Sequence, residues 1–518
     1  MHRTVAHLML IIRCCSKKDQ NVPMEFRDML LLKMFSRLFM ALLRRDVGVG
    51  MGRLSLSLLV FVPGLLSFAL VTASASAQHR ASPVQEGVIN PFHPPSDNIS
   101  RSDSTLSGVQ PFHLSDIPSW MTLDMQLRGR TEEQTSLGYV SGKDRLYELS
   151  RVWGGITVHP TEWLTGYAQF MDLHALGLPL QDTAANMRDT FDLRQGYLDF
   201  HHKTVQLMVG RKELRFGDKR VIGISDWTNV SRTFDGFFMD VGQKNHLDLF
   251  SASVVQIHPT SLDTHGAGLT FHGVHAKLTT LFPKTTIEPM VLVHALPRVT
   301  SQQKIVGSQT EVSFGSYYET KLPLGFDSSG TGMLQRGSYS NDSIHAGSAI
   351  FRGGYGAAWM PWKPHLEGEY DYATGNTHTD ATRIGTYDQE YPSNHNAFGL
   401  VDLFGFENIK QRRVNLQLTQ RDNFTILLQG GSLHLATVRD GVYASAGSSL
   451  FTAPASGFKS DSLGSEFDAS AKYIFHQSFV TNIGVGHFFP GEVMTSSNHG
   501  APLTIGYLSL TYRFKLEH

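Results

Sequence analysis

The sequence predicts an all-β fold, a transmembrane antiparallel β-barrel of 16–18 strands. Three observations carry that expectation. The 518 residues include 48 Gly, 32 Phe and 16 Tyr beside only 18% charged residues, a balance that favours extended, aromatic-rich strands over long surface helices. From Leu123 onward the chain breaks into segments of about ten residues with alternating apolar and polar side chains, the length and period of tilted strands crossing an outer membrane. The links between segments are alternately long and short, as they are where tight periplasmic turns oppose long outer loops. A soluble sandwich or propeller accounts for neither that alternation nor the leader that precedes it.

The leader has its own logic. Residues 54–70 (LSLSLLVFVPGLLSFAL) are uncharged, follow Arg44, Arg45 and Arg53, and run into Ala73-Ser-Ala-Ser-Ala77. A basic flank, an apolar stretch and a small-residue site define a secretory signal peptide cleaved after Ala77. Pro63-Gly64 interrupts the stretch, which argues against a permanent anchor. Residues 1–50 have no role ahead of such a signal and point to an over-extended N-terminus, with Met51 or Met40 as the true start. Of 45 Lys/Arg and 46 Asp/Glu, ten and four fall within residues 1–77, so the remaining 441 residues carry 35 basic and 42 acidic groups, a net charge of −7. Cys14 and Cys15 are also lost, so backbone pairing and burial must hold the exported chain without disulfides. An acidic balance excludes a basic nucleic-acid binder. Residues 78–120, rich in Pro, Ser, Asp and His, read as a flexible periplasmic leader, and 121–518 as the barrel.

Sixteen strands are legible: 123–130, 147–158, 163–172, 191–200, 205–215, 234–242, 246–256, 270–280, 286–295, 346–359, 365–373, 411–420, 424–434, 466–476, 479–488 and 503–515. Short turns at 159–162, 201–204, 243–245, 360–364, 421–423 and 477–478 alternate with long loops. The stretch 297–347 has room for another hairpin around 311–320, which would make eighteen.

Parity assigns the two faces. Arg412, Val414, Leu416 and Leu418 share one side, with Arg413, Asn415, Gln417 and Thr419 on the other; likewise Leu366, Gly368, Tyr370 and Tyr372 oppose His365, Glu367, Glu369 and Asp371. An unpaired charge on a lipid face costs roughly 2–4 kcal/mol near the midplane, so the charged parity belongs to a wet lumen. On this reading Arg128, Arg130, Arg151, Asp199, Arg352, Glu367, Glu369 and Arg413 line the pore, with Asp124, Glu466, Asp468 and Lys472. Some of these charges would pair to stiffen the wall, and others would form a charged constriction. Trp120, Trp153, Trp163, Trp359 and Trp362 fall near strand ends, where interfacial girdles form.

The closing strand (YLSLTYRF, 507–514) is amphipathic with an aromatic end, like the signal read by outer-membrane assembly machinery, although Lys515-Leu-Glu-His518 extends beyond it. Residues 191–200 (FDLRQGYLDF), 209–223 (VGRKELRFGDKRVIG), 227–236 (WTNVSRTFDG) and 487–491 (HFFPG) together resemble the alginate-export family of outer-membrane barrels. The resemblance implies a monomeric barrel, eighteen-stranded in the alginate exporter, whose arginine-lined lumen passes a polyuronate. Glu367, Glu369 and Asp371 beside the arginines depart from a purely cationic funnel.

Within the family motif, Val205, Leu207 and Val209 share a parity with Arg211, Glu213 and Arg215, so either a bulge at Gly210 switches faces or the strand leaves the apolar band there. Arg211, Arg215, Arg220 and Arg232 are then candidates for a constriction loop whose guanidinium groups pair with carboxylates on the permeant. Glu213, Asp218, Asp226 and Asp235 are the carboxylates that would neutralise them instead.

No metal site, cofactor or catalytic residue is expected: HExxH, GxSxG and Walker patterns are missing, and His201-His202 sits in a short turn. The sequence therefore favours passive export of an anionic, alginate-like polysaccharide, with a general porin for small charged or carbohydrate solutes as the alternative and an outer-membrane enzyme a distant third. The partners implied are outer-membrane lipid and lipopolysaccharide, the permeant, and a periplasmic scaffold.

Overall fold

The computed structural model describes residues 112–113 and 117–518 apart from 378, 396, 476 and 477. The expected signal peptide and nearly all of the expected 78–120 leader lie outside the described residues. Among them, eighteen long strands form one antiparallel sheet that closes on itself. They are β1 (Met121–Gln134), β2 (Arg145–Thr161), β3 (Leu164–Leu176), β4 (Asp189–His202), β5 (Val205–Lys212) and β6 (Phe234–Gly242). Next come β7 (His246–Gln256), β8 (Thr270–Phe282), β9 (Thr285–Thr300), β10 (Val306–Lys321), β11 (Phe326–Tyr339) and β12 (Asp342–Gly356). The last six are β13 (His365–Ala373), β14 (Ile409–Arg421), β15 (Phe424–Leu435), β16 (Ser462–Phe475), β17 (Phe479–Pro490) and β18 (Leu503–Glu517).

Each strand pairs with its sequence neighbours, and β18 returns to β1 with Leu123 opposite Leu516 and Gln134 opposite Ile505. Closure leaves no open edge, which a bilayer demands because lipid offers no partner to a backbone amide. Lys515 and Leu516, the tail beyond the aromatic end, are part of this ladder, opposite Asp124 and Leu123. Met121 and Glu517 share the rim of tight turns, the periplasmic side; the other rim carries the loops 213–233, 374–408 and 436–461.

The two strands that sixteen-strand reading omits are β10 and β11. The outer connections on either side of this hairpin are short, 301–305 and 340–341, so the long-short alternation that marks the other boundaries fails here. Their side-chain pattern is also diluted by glycine. Gly337 has φ 151°, and a Cβ there would sit 2.0 Å from the Thr310 carbonyl oxygen.

The barrel is inside-out as a soluble protein would judge it. Val152, Ile156, Phe170, Leu198, Leu366, Tyr370, Val414 and Phe467 are exposed outward, while the intervening Arg151, Gln169, Asp199, Glu367, Glu369, Arg413 and Glu466 are buried inward. Those inward side chains are buried because loops fill the space beside them. Leu214, Phe216, Val221 and Ile222 of loop 213–233 and Tyr387, Phe398, Phe404 and Phe406 of loop 374–408 form one apolar cluster with wall residues such as Phe234, Phe271 and Ile409. Trp120, Trp163 and Trp359 are exposed at the periplasmic rim. Trp153 is not a girdle residue: it is 0% exposed, on the inward parity of β2, beneath the guanidinium groups of Arg151 and Arg194.

Candidate functional site

The site begins where β5 ends. Gly210 stands opposite both Tyr197 and Gly236 in unbroken register, so no bulge reverses the faces there. Arg211 keeps the outward parity of Val205 and Leu207. Its guanidinium donates to both oxygens of Asp235, at 2.8 and 3.0 Å, and to the Leu193 and Asp263 carbonyls. Arg211 is thus a strand residue at the outer rim, and its assignment to a constriction loop is corrected.

Three residues later the chain turns inward and loop 213–233 crosses the lumen. Toward β1 and β2, Arg151 donates to Asp226 Oδ1 at 2.7 Å and to the Asn229 carbonyl at 3.0 Å, and Arg128 donates to the Asp226 carbonyl at 2.8 Å. Arg130 reaches the Trp227 carbonyl at 2.6 Å and stacks 3.7 Å from the centre of its ring. Toward β12 and β13, Arg352 donates to Asp218 and Arg220 to Asp371, each at 2.6 Å. The Gly217 amide reaches Glu288 on β9 at 2.8 Å. In a ring of eighteen strands β2 and β12 stand nearly opposite, so one loop is bolted to both walls.

A second loop supports the first. Ile222 bridges to Tyr391, and Arg232 donates to the carbonyls of Gly223, Tyr391 and Pro392 at 2.7–3.0 Å. Loop 374–408 is anchored in turn on β11 through Gln335 and on β16 through Glu466 and Asp468.

The sequence-derived residues therefore divide. Arg220, Arg352, Glu369 and Arg413 come together: Glu369 accepts from Arg413 at 2.5 and 3.0 Å, lies 3.1 Å from Arg352 and 4.0 Å from Arg220. Glu367 is adjacent through Asn415, at 2.9 Å. Arg128, Arg130 and Arg151 form a second group at the other wall. Arg215 pairs with Glu213, which Arg194 also holds. Asp199 is apart from the crossing loop, bonded to Gln206 near the periplasmic end. Of the suspected neutralising carboxylates, Glu213, Asp218, Asp226 and Asp235 all pair with arginines, though Asp218 and Asp226 do so with wall residues.

The lumen wall carries both signs, with Asp124, Glu132, Glu466 and Asp468 buried on β1 and β16 among the cationic groups. Arg128, Arg130, Arg151, Arg513 and Lys472 lie on β1, β2, β18 and β16. On β7 to β10, across the ring, Asp248, Glu288 and Glu311 are interleaved with His275, His294 and Lys277: His275 is held between Asp248 at 2.7 Å and Glu288 at 3.0 Å, and Lys277 lies 4.0 Å from Glu288. Burial opposes charge on Asp226, yet Arg151 and Arg128 hold its carboxyl well below the usual range. Burial and the neighbouring Asp388 push Glu390 up to about 7, and burial lowers Arg232 to about 10, still cationic at neutral pH. Sequence parity could name the wall charges, and Asp226 was among the candidate neutralising carboxylates, but its pairing with Arg151 on the wall became visible only through contacts between distant segments.

A closed barrel of eighteen strands whose polar lumen is crossed by an inward-folded loop defines an outer-membrane channel. The alginate-export family model matches residues 118–501, and the chain belongs to that family. Its fold is similar to that of OccK11 (OpdR) of Pseudomonas aeruginosa, at 12% identity and TM-score 0.51 over 79% of this chain and 99% of that one. It is also similar to the outer membrane protein OpdK of Pseudomonas aeruginosa, at 11% identity and TM-score 0.51 over 77% and 100%. A structure of OpdK with vanillate aligns with TM-score 0.50 at 11% identity over 77% and 100%. At such identities the likeness concerns the fold alone. No curated protein sequence matches the chain significantly.

Proposed function

We propose that the protein is a passive diffusion channel for small charged solutes rather than a conduit for long polyuronate chains. The observation that carries this reading is loop 213–233, which ties to opposite walls through Arg151–Asp226, Arg352–Asp218 and Arg220–Asp371. An exporter of an acidic polymer needs guanidinium groups offered to the polymer along an open bore. Here those arginines are engaged by the chain's own carboxylates and carbonyls, and the bore is subdivided. The charged side chains of both signs along the lumen wall support charged solutes as permeants, since fixed charges lining a pore select among ions. Liposome swelling tests this: with the protein reconstituted, small carboxylates, amino acids and monosaccharides should enter, and uronate oligomers should not. Equal entry of oligomers and monomers overturns it.

A further inference from the structure

At the outer end of the barrel, the start of β4 and loop 257–269 meet at three aspartates. One carboxylate oxygen each from Asp189, Asp192 and Asp263 lies within 4.8 Å of the other two. Two of the three have protein donors: Asp192 accepts the amides of Leu193 and Asp263, both at 2.5 Å, and Asp263 accepts the amide of His258 at 2.7 Å. Asp189 differs. It is 0% exposed, and neither of its buried oxygens has a donor. A buried carboxylate with no donor is costly, and native structures leave few such groups without a cation, a water or a proton to satisfy them. Arg211, whose positive charge acts on Asp189, spends its guanidinium on Asp235 and two carbonyls.

We propose that Asp189, Asp192 and Asp263 bind a calcium ion that staples loop 257–269 to the outer end of β4. Calcium takes oxygen ligands at roughly 2.3–2.6 Å, so one ion spans oxygens up to about 5 Å apart, which suits this spacing; magnesium, at roughly 2.0–2.1 Å, requires a tighter set. Backbone carbonyls and water would complete the shell. The loop is already drawn to this place by Thr190, whose amide and hydroxyl both donate to the Pro259 carbonyl. The ion thus closes a junction beside the Arg211–Asp235 pair that flanks the crossing loop. Asp263 lies 71 residues beyond Asp192, which is why no sequence motif announces the cluster.

The test uses the full chain folded in detergent micelles, stripped with EDTA and titrated with calcium chloride by calorimetry, with thermal unfolding followed in parallel. Wild type should bind one calcium with a sub-millimolar dissociation constant and unfold at a higher temperature in millimolar calcium than in EDTA. Asp189→Asn should weaken binding tenfold or more and abolish that calcium-dependent shift, while unfolding in EDTA no lower than wild type because it removes an unmet charge. Asp263→Asn, in the loop, should weaken binding with the barrel intact by heat-modifiable mobility. No calcium-dependent shift in wild type, with Asp189→Asn stabilising equally in calcium and EDTA, would mean a shared proton and overturns the proposal. Retention of the wild-type shift by Asp189→Asn overturns it as well.

Discussion

Replacing Glu369 with glutamine removes one charge from the centre of the arginine group on β12 to β14. The Glu369 side chain is fully buried and faces three guanidinium groups, those of Arg413 at 2.5 Å, Arg352 at 3.1 Å and Arg220 at 4.0 Å. Each pair is worth roughly 4–7 kcal/mol in Coulomb energy at an effective dielectric near 20, most of it offset by desolvation. Removing one partner of a buried pair costs roughly 3–5 kcal/mol because the other charge stays behind. Arg352 and Arg220 keep Asp218 and Asp371, so the loss concentrates on Arg413 and falls at the low end, about 3 kcal/mol. Urea unfolding of the barrel in lipid vesicles, followed by tryptophan fluorescence, measures it. The same variant adds net positive charge to the lumen, so the reversal potential in a salt gradient should move toward anion selectivity. A stability change below about 1 kcal/mol, the range of an exposed pair, would refute the buried hub.

Three further outcomes are expected. Arg232→Ala removes the donor shared by the Gly223, Tyr391 and Pro392 carbonyls, so loop 213–233 should loosen from loop 374–408 and single-channel conductance should rise; unchanged conductance would count against that junction. Glu390, raised to about 7 by burial and by Asp388, binds its proton more tightly in the docked loop than in a free one, where glutamate titrates near about 4.3. Docking is therefore strongest below the lower value and weakens as pH rises through the upper, so protease should cut loop 374–408 faster at pH 8 than at pH 6, and Glu390→Gln should flatten the difference. Lys472 and Arg513 are cationic groups on β16 and β18, so Lys472→Glu with Arg513→Glu should shift selectivity toward cations, read as a change in reversal potential.

Much of the barrel is written locally. Alternation in Arg412 to Thr419 and in His365 to Tyr372 assigns each face, because in a strand the side-chain direction depends only on parity. The β10–β11 hairpin escaped that logic because its boundaries depend on connection length, and 301–305 and 340–341 are as short as periplasmic turns. The candidate site is a different kind of information. Parity placed Arg128, Arg151 and Arg352 inward, but their partners Asp226 and Asp218 are 98, 75 and 134 residues away and reach them only because the loop folds into the lumen. The same parity put Arg211 beside Arg215, although the strand ends between them at Lys212 and sends the two in different directions. The alginate-like motif marks the family, while the pairing of its arginines within the chain shifts the favoured permeant from polymer to small solute.

The central claim is that loop 213–233 limits what the barrel passes. Its most direct measurement is the size dependence of permeation in reconstituted liposomes, comparing uronate monomer with longer oligomers for wild type and for Asp226→Ala combined with Asp218→Ala, which releases the loop from both walls. The account predicts monomer entry and oligomer exclusion in wild type, with oligomers admitted once the loop is released. Oligomers crossing wild type as readily as the released variant would contradict it.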